Sequence, residues 1–260
     1  MTTMERTGGL PGAVAAEWTK FWSVRATWWC LTGGTALMLL YSTASAMAQR
    51  YDSDRAQGAH DIALGGGFYL TQFTVVALAT LFVTSEYSSG SIRSTLLWTP
   101  VREHVALAKA AVLLPVLFAF GAEVAGVGMG LSGVLMDGHG LPTSLSAGAT
   151  AALGMGAYFA LLGVLCTGFG WALRSAVGTL VAVIVLLAPL PIILTSFGWA
   201  AAADYFPGIA GINSMIVAGA PSPLTGAPPP YAPWVGVLIC AAWAAAALLA
   251  GTAVLRRRDA

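Results

Sequence analysis

The chain has 260 residues, 57% of them hydrophobic and 9% charged, with a formal net charge of +1 and a mean hydropathy of +0.78. A soluble domain carries about 25% charged residues, so this chain has too few charges to cover a soluble surface. The composition points to a protein embedded in a bilayer, and segment lengths test that reading.

Residues 1–11 are expected to be disordered. Residues 12–25, GAVAAEWTKFWSVR, predict an amphipathic helix. Val14, Trp18, Phe21 and Trp22 fall on one apolar stripe, and Glu17 and Lys20 face elsewhere. Tryptophan and basic residues ahead of a first span predict an elbow helix lying in the cytoplasmic headgroup layer.

A spanning helix needs about 20 mostly apolar residues. There are 24 uncharged residues between Arg25 and Arg50, and 24 more between Asp61 and Glu86. Ala110 to Met136 holds one charge, Glu123, while Gly140 to Leu173 and Ser175 to Ala203 hold none. From Tyr205 to Leu255 there is again no charge, but six prolines between Pro221 and Pro233 forbid a regular helix there. Six spans follow, at about 27–48, 62–84, 106–135, 147–172, 176–198 and 233–255. With the N-terminus inside, ten of the twelve Lys/Arg lie on the cytoplasmic side and only Arg50 and Arg55 lie outside. That bias places both termini in the cytoplasm. The expected fold is thus an all-α integral membrane protein: six transmembrane helices behind an N-terminal amphipathic elbow helix. The outer segment 199–232 starts apolar enough to form short helices dipping into the outer leaflet and ends as an extended Pro-rich stretch.

Within the spans, Gly121, Ala125, Gly128 and Ser132 form a small-residue stripe on span 3, with Gly126 and Gly130 as a separate GxxxG pair. Such residues permit close helix contact, and packing within the subunit is the favoured use. Pro189 and Pro191 should bend span 5 and are hinge candidates. Glu123, midway along span 3, costs about 2.5–3.5 kcal/mol to insert. It is a translocation-pathway candidate, or else a protonated Glu bonded to a neighbouring helix. Arg256–Arg258 are expected to anchor span 6 to anionic lipid.

Enzyme signatures are missing from the sequence. A Walker A loop needs Lys followed by Ser or Thr, yet Lys20 precedes Phe21 and Lys109 precedes Ala110, and there is no other lysine. There is no His-Glu-x-x-His and no GxSxG elbow. His60, His104 and His139 sit in separate loops. Cys30, Cys166 and Cys240 lie inside spans as packing residues, without a disulfide or metal pattern. No metal and no nucleic acid is expected on this chain.

The longest cytoplasmic loop, 85–105, is unusually polar for such a chain. Gly90 supplies a turn after Glu86 and Tyr87. Ile92 to Trp98 can form a short helix carrying Ile92, Leu96 and Leu97 with Arg93 alongside, and Thr99-Pro100 would start the next helix. A docking site for a cytoplasmic partner needs such an apolar seam, and a solvated loop does not. The pattern Glu86, Tyr87, Gly90, Ser91, Ile92, Arg93, Thr95, Leu96, then Pro100, Arg102, Ala108 and Lys109, resembles the first cytoplasmic loop of ABC-2-type transporter permeases. Ala16–Trp29 is similar to that family's opening, and Tyr205–Ala210 to its outer segment between spans 5 and 6.

The resemblance implies the membrane subunit of an ABC exporter in a bacterial plasma membrane. Two permease subunits would pair, as a homodimer or with a paralogue. A separate ATP-binding cassette subunit would carry ATP and Mg, leaving no cofactor on this chain. The loop would be the coupling element, with Glu86, Gly90, Ile92, Arg93 and Leu96 as its contact and shaping residues. Glu86 and Arg93 could instead brace the turn, and Ile92 and Leu96 could pack on the elbow helix. Two other classes stay open: a proton-coupled secondary transporter using Glu123, and a membrane anchor or sensor that transports nothing.

Overall fold

A computed structural model describes residues 9–51, 57–98, 102–222 and 226–257. Among these the chain is helical throughout, apart from one bridge between Gly58 and Leu141. Helix α1 (Leu10–Ser23) stops where Val24 turns extended, and α2 (Arg25–Tyr51) begins at once. The corner is stitched by side chains: Thr27 Oγ1 donates to the Phe21 carbonyl at 2.6 Å and Trp28 Nε1 to that of Trp22 at 3.2 Å. These bonds satisfy carbonyls that the end of α1 would otherwise leave unpaired. Of the segment expected to be disordered, residues 1–8 lie outside the described set, while Leu10 and Pro11 already belong to α1.

Helices α3 (Ala59–Gly66) and α4 (Gln72–Ser88) are joined by a π turn at Gly67–Thr71 into one rod. After α5 (Ile92–Trp98) come α6 (Arg102–Met136) and α7 (Leu145–Leu173). Ser144 caps α7 by accepting from the Ala147 amide, and Arg174, left-handed at φ 53°, ends it. The expected span 176–198 is two pieces, α8 (Ala176–Leu187) and α9 (Pro189–Ser196). Pro189 and Pro191 cannot donate to the preceding turn, so the bend expected there is a full break at Ala188. The segment after α9 forms two short helices, α10 (Ala200–Ala203) and α11 (Pro207–Asn213), the second wholly buried. Helix α12 (Pro233–Arg257) ends the described chain.

Among the described residues five helices are long and apolar enough to cross a membrane: Ala59–Ser88, Glu103–Met136, Leu145–Leu173, Ala176–Ser196 and Pro233–Arg256. The first expected span lies in α2, which has 27 residues but falls outside that set because Thr32, Thr35, Ser42 and Thr43 dilute its apolar run.

Helix α7 lies at the centre of the bundle, against α6 on one side and α12 on the other. Both contacts depend on missing β-carbons. One added at Gly121 of α6 would lie 2.7 Å from the Met155 carbonyl oxygen of α7; one at Gly168 of α7 would lie 2.2 Å from the Ala247 carbonyl carbon of α12. Of the small-residue stripe on α6, Gly121 meets α7 and Gly128 meets Met38 and Ser42 of α2, whereas Gly126 and Gly130 open onto free space. The stripe is therefore used within the subunit. Gly168→Leu should force α7 and α12 apart and cost about 1–3 kcal/mol; thermal unfolding in lipid nanodiscs would show a lowered midpoint, with Gly126→Leu as the unaffected control.

Candidate functional site

The loop 85–105 and the helix ends around it bring together a cluster of charged side chains. Four charged side chains meet there: Glu17 and Lys20 from α1, Glu86 from the end of α4 and Lys109 from the first turns of α6. Lys109 is 0% exposed, Glu86 1% and Glu17 5%. The Lys109 ammonium donates to Glu86 Oε1 at 2.5 Å, to Glu17 Oε2 at 2.7 Å and to the Phe82 carbonyl at 3.5 Å. An ammonium has three donors, and all three are used. The Phe82 ring lies 4.3 Å from the same nitrogen, over which its negative face adds further stabilisation. Lys20 also donates to Glu86 Oε1 and stands 3.7 Å from Glu17. Two positive and two negative charges thus neutralise each other where water is largely excluded. A buried charge is tolerated only when paired and hydrogen-bonded in this way.

This geometry corrects the sequence reading of the elbow helix. The buried face of α1 is Ala13, Glu17 and Phe21, at i, i+4 and i+8, while Trp18 is exposed. Glu17 points into the protein because its partner, Lys109, sits beneath α1. The spacing puts Glu17 one turn before Phe21 on the same face, but only the partner, 92 residues away, decides that this face is the buried one.

Around the cluster the neighbouring ends of α4, α6, α7 and α12 are locked together. Val83, Val105, Ala106, Trp171 and Leu255 form one apolar cluster with Tyr87 against it. Arg174 lies over the Tyr87 ring at 5.5 Å. Arg256, expected to anchor to lipid, pairs with Glu103 at the start of α6. Arg257's side chain and Arg258 lie outside the described residues.

Between these fixed points the loop projects outward. Gly90 has φ +72° with nothing within 4 Å of where a β-carbon would sit. Glycine is needed there for the left-handed backbone, not for space. Ser91 accepts from Ser94 and Thr95 to begin α5. Along α5, Ile92 is buried and Leu97 is 83% exposed. The apolar residue offered to solvent is therefore Leu97, and Ile92 belongs to the packed side. The side chains of Arg93, Leu96 and Arg102, together with Thr99 and Pro100, lie outside the described residues. Glu86, placed by the sequence reading in either a partner contact or a local brace, accepts from Lys20 and Lys109 through Oε1.

Residues 13–189 match the ABC-2 family transporter protein model. The chain belongs to that family. It is a multi-pass membrane permease of an ABC transporter, of a family whose membrane component has no ATPase site of its own and associates with an ATP-binding cassette subunit. No curated protein matches the chain. Within this permease the matched region takes in all four charges of the cluster and α5, so the loop and its seat are family territory.

The remaining sequence-predicted residues lie elsewhere. Glu123 is on an exposed face of α6, lining a groove of about 670 Å³ between α1, α2 and α6. Pro189 and Pro191 both lie in the first turn of α9, just after Ala188, where Gly208 of α11 comes so close to the Leu187 carbonyl that no β-carbon fits. None of these meets the loop. Among the described residues no group of three or more His, Cys, Asp or Glu could hold a metal.

Lys109→Met should leave Glu17 and Glu86 buried with one counter-charge too few, a loss of about 3–5 kcal/mol. Thermal unfolding should show it, and Lys109→Met/Glu86→Gln should recover part of the loss because it removes an orphaned charge as well.

Proposed function

We propose that this permease is the membrane subunit of an exporter, with α5 as the element that engages a separate ATP-binding subunit. The observation that carries this reading is the contrast within one loop. Its two roots, Glu86 and Lys109, are buried in mutual ion pairs, while α5 between them exposes Leu97. A lever needs a rigid base and a free contact surface, and the loop supplies both. ATP and Mg would be bound by the partner, whose closure would push α5 and tilt the helices rooted with it. Export is the direction that the resemblance to ABC-2-type permeases implies, and a bacterial plasma membrane the location.

We read α2 as the first of six spans, with both termini cytoplasmic. Its hydroxyls support this. Thr32, Thr35 and Thr43 each donate to the carbonyl four residues back, which makes them tolerable in hydrocarbon. Its direction agrees as well: Gly34 faces Phe120 of α6, and Met38 and Ser42 face Gly128, so α2 and α6 run the same way. One opposed rod, α3–α4, lies between them in sequence, as alternating crossings require. A second permease subunit and lipid would cover the apolar outer faces of α8, α9 and α12, where Val181, Ile192, Trp234 and Leu249 are exposed.

Leu97→Asp should abolish co-purification with the ATP-binding subunit while leaving the melting temperature of the permease alone unchanged; retention of the complex would move the contact off α5. For topology, a single cysteine at Ser91 should react with a membrane-impermeant maleimide only after the cells are opened, and one at Gln57 in intact cells. Equal labelling of both would remove α3–α4, the rod between the two sites, from the membrane, and an inverted pattern would overturn the assigned orientation.

A further inference from the structure

The groove beside α6 is a second chemically distinctive place in the molecule, and the loop does not use it. Its walls are α2 from Trp28 to Leu39 and α6 from Pro115 to Glu123, with Trp18 and Trp22 of α1 at its inner end. The two long helices run parallel, with Gly34 opposite Phe120. Trp28 and Pro115 therefore share the inner level, and Glu123 stands about 12 Å further along α6. Of all the residues lining the groove, Glu123 alone bears a formal charge. It is also the one charge in the whole stretch from Ala110 to Met136.

A carboxylate within a membrane span is costly, and a counter-charge beside it offsets that cost. The far end of the same groove is aromatic: the Trp22 ring packs against Trp18 and Trp28 at 5.8 and 5.2 Å. Indole faces attract cations and bury flat apolar bodies. Volume agrees, since about 670 Å³ falls in the range of sites for drug-sized molecules.

We propose that this groove binds an amphipathic organic cation dissolved in the membrane, its positive charge at Glu123 and its apolar body along Trp28 and Trp22. This rests on the permease reading above and names the cargo class for it. Entry is lateral, from the bilayer, because the groove lies on the outer face of α2 and α6. Anions of equal size and shape are rejected by the same carboxylate.

Tetraphenylphosphonium and tetraphenylborate test this directly, being alike in shape and opposite in charge. Each is titrated onto the full chain in nanodiscs, with tryptophan quenching as the signal. The phosphonium should bind saturably, with the borate weaker by about tenfold or more. Glu123→Gln should weaken the phosphonium by about the same factor and leave the borate unchanged or tighter. Trp28→Ala should weaken both. Unchanged elution and melting temperature certify the fold of each variant, and Glu123→Ala stands in if the glutamine form fails that check. Equal binding of the two ions, or a phosphonium affinity indifferent to Glu123, overturns the proposal. So does an absence of saturable binding, in which case lipid tails or a second copy fill the groove. Disulfide trapping of Ala119→Cys between two chains, in a background without native cysteines, tells those two apart. Co-purification with the ATP-binding subunit is read on the same preparations, so failure of the coupling reading is seen separately from failure of the cation site.

Discussion

A charge that leaves water must find its opposite within hydrogen-bonding reach. At the inner end of this bundle that constraint binds three segments far apart in sequence. Lys109 ties the elbow helix to the start of α6 through Glu17, and the end of α4 to both through Glu86. Each ion alone would cost several kcal/mol to bury, so no one of the three elements sits stably in this arrangement without the others. The position of α5 follows, because the loop that carries it is pinned at both ends by the same cluster. An exposed ion pair would have contributed about 0–1 kcal/mol and fixed nothing.

Elsewhere the bundle relies on contact without charge. In hydrocarbon, apolar burial gives helices little reason to prefer each other over lipid, so close approach and hydrogen bonds must do the work. The glycines of α7 do this toward α6 and α12. Polar side chains add to it: Tyr158 of α7 donates to Gln72 of α4 at 2.7 Å, both fully buried, just past the π turn. The outer half is built differently. There the chain breaks at Ala188, and the freed backbone around Leu187 is covered by Gly208 of α11. That close backbone approach explains why a Pro-interrupted helix and a buried outer segment occur together.

Much of this was legible in the sequence, because bilayer thickness converts directly into lengths of uncharged chain. Five of the expected spans appear as helices of spanning length and apolarity within a few residues of their expected ends, and shorter helices occur at Leu10–Ser23, Ile92–Trp98, Ala200–Ala203 and Pro207–Asn213. What could not be read was which way the exceptional residues face. Glu17 looked solvent-facing because a charge on an amphipathic helix normally is; its inward turn depends on Lys109, 92 residues away. Ile92 was expected at the contact together with Leu96, yet Ile92 is buried and Leu97 is the exposed one, as the seat of a seven-residue helix on its neighbours dictates. Pairing across long separations leaves little mark in a single sequence beyond the balance of signs.

The seat and the groove share one element. Lys109 and Glu123 lie on α6, separated by 14 residues and so by about 21 Å along its axis. Pro115, between them, lines the groove and leaves the carbonyl four residues earlier without its helical donor. A helix with such a site bends there more readily than elsewhere. Coupling between two sites needs an element whose arrangement both can bias. Helix α6 reaches both places: Lys109 roots its start in the charge cluster beside α5, and its middle forms one wall of the groove. A change of bend at Pro115 would alter the distance between Glu123 and the tryptophans while leaving the ion pairs of Lys109 intact. The buried charges would then serve as the fixed end of a lever whose other end is the wall of the groove.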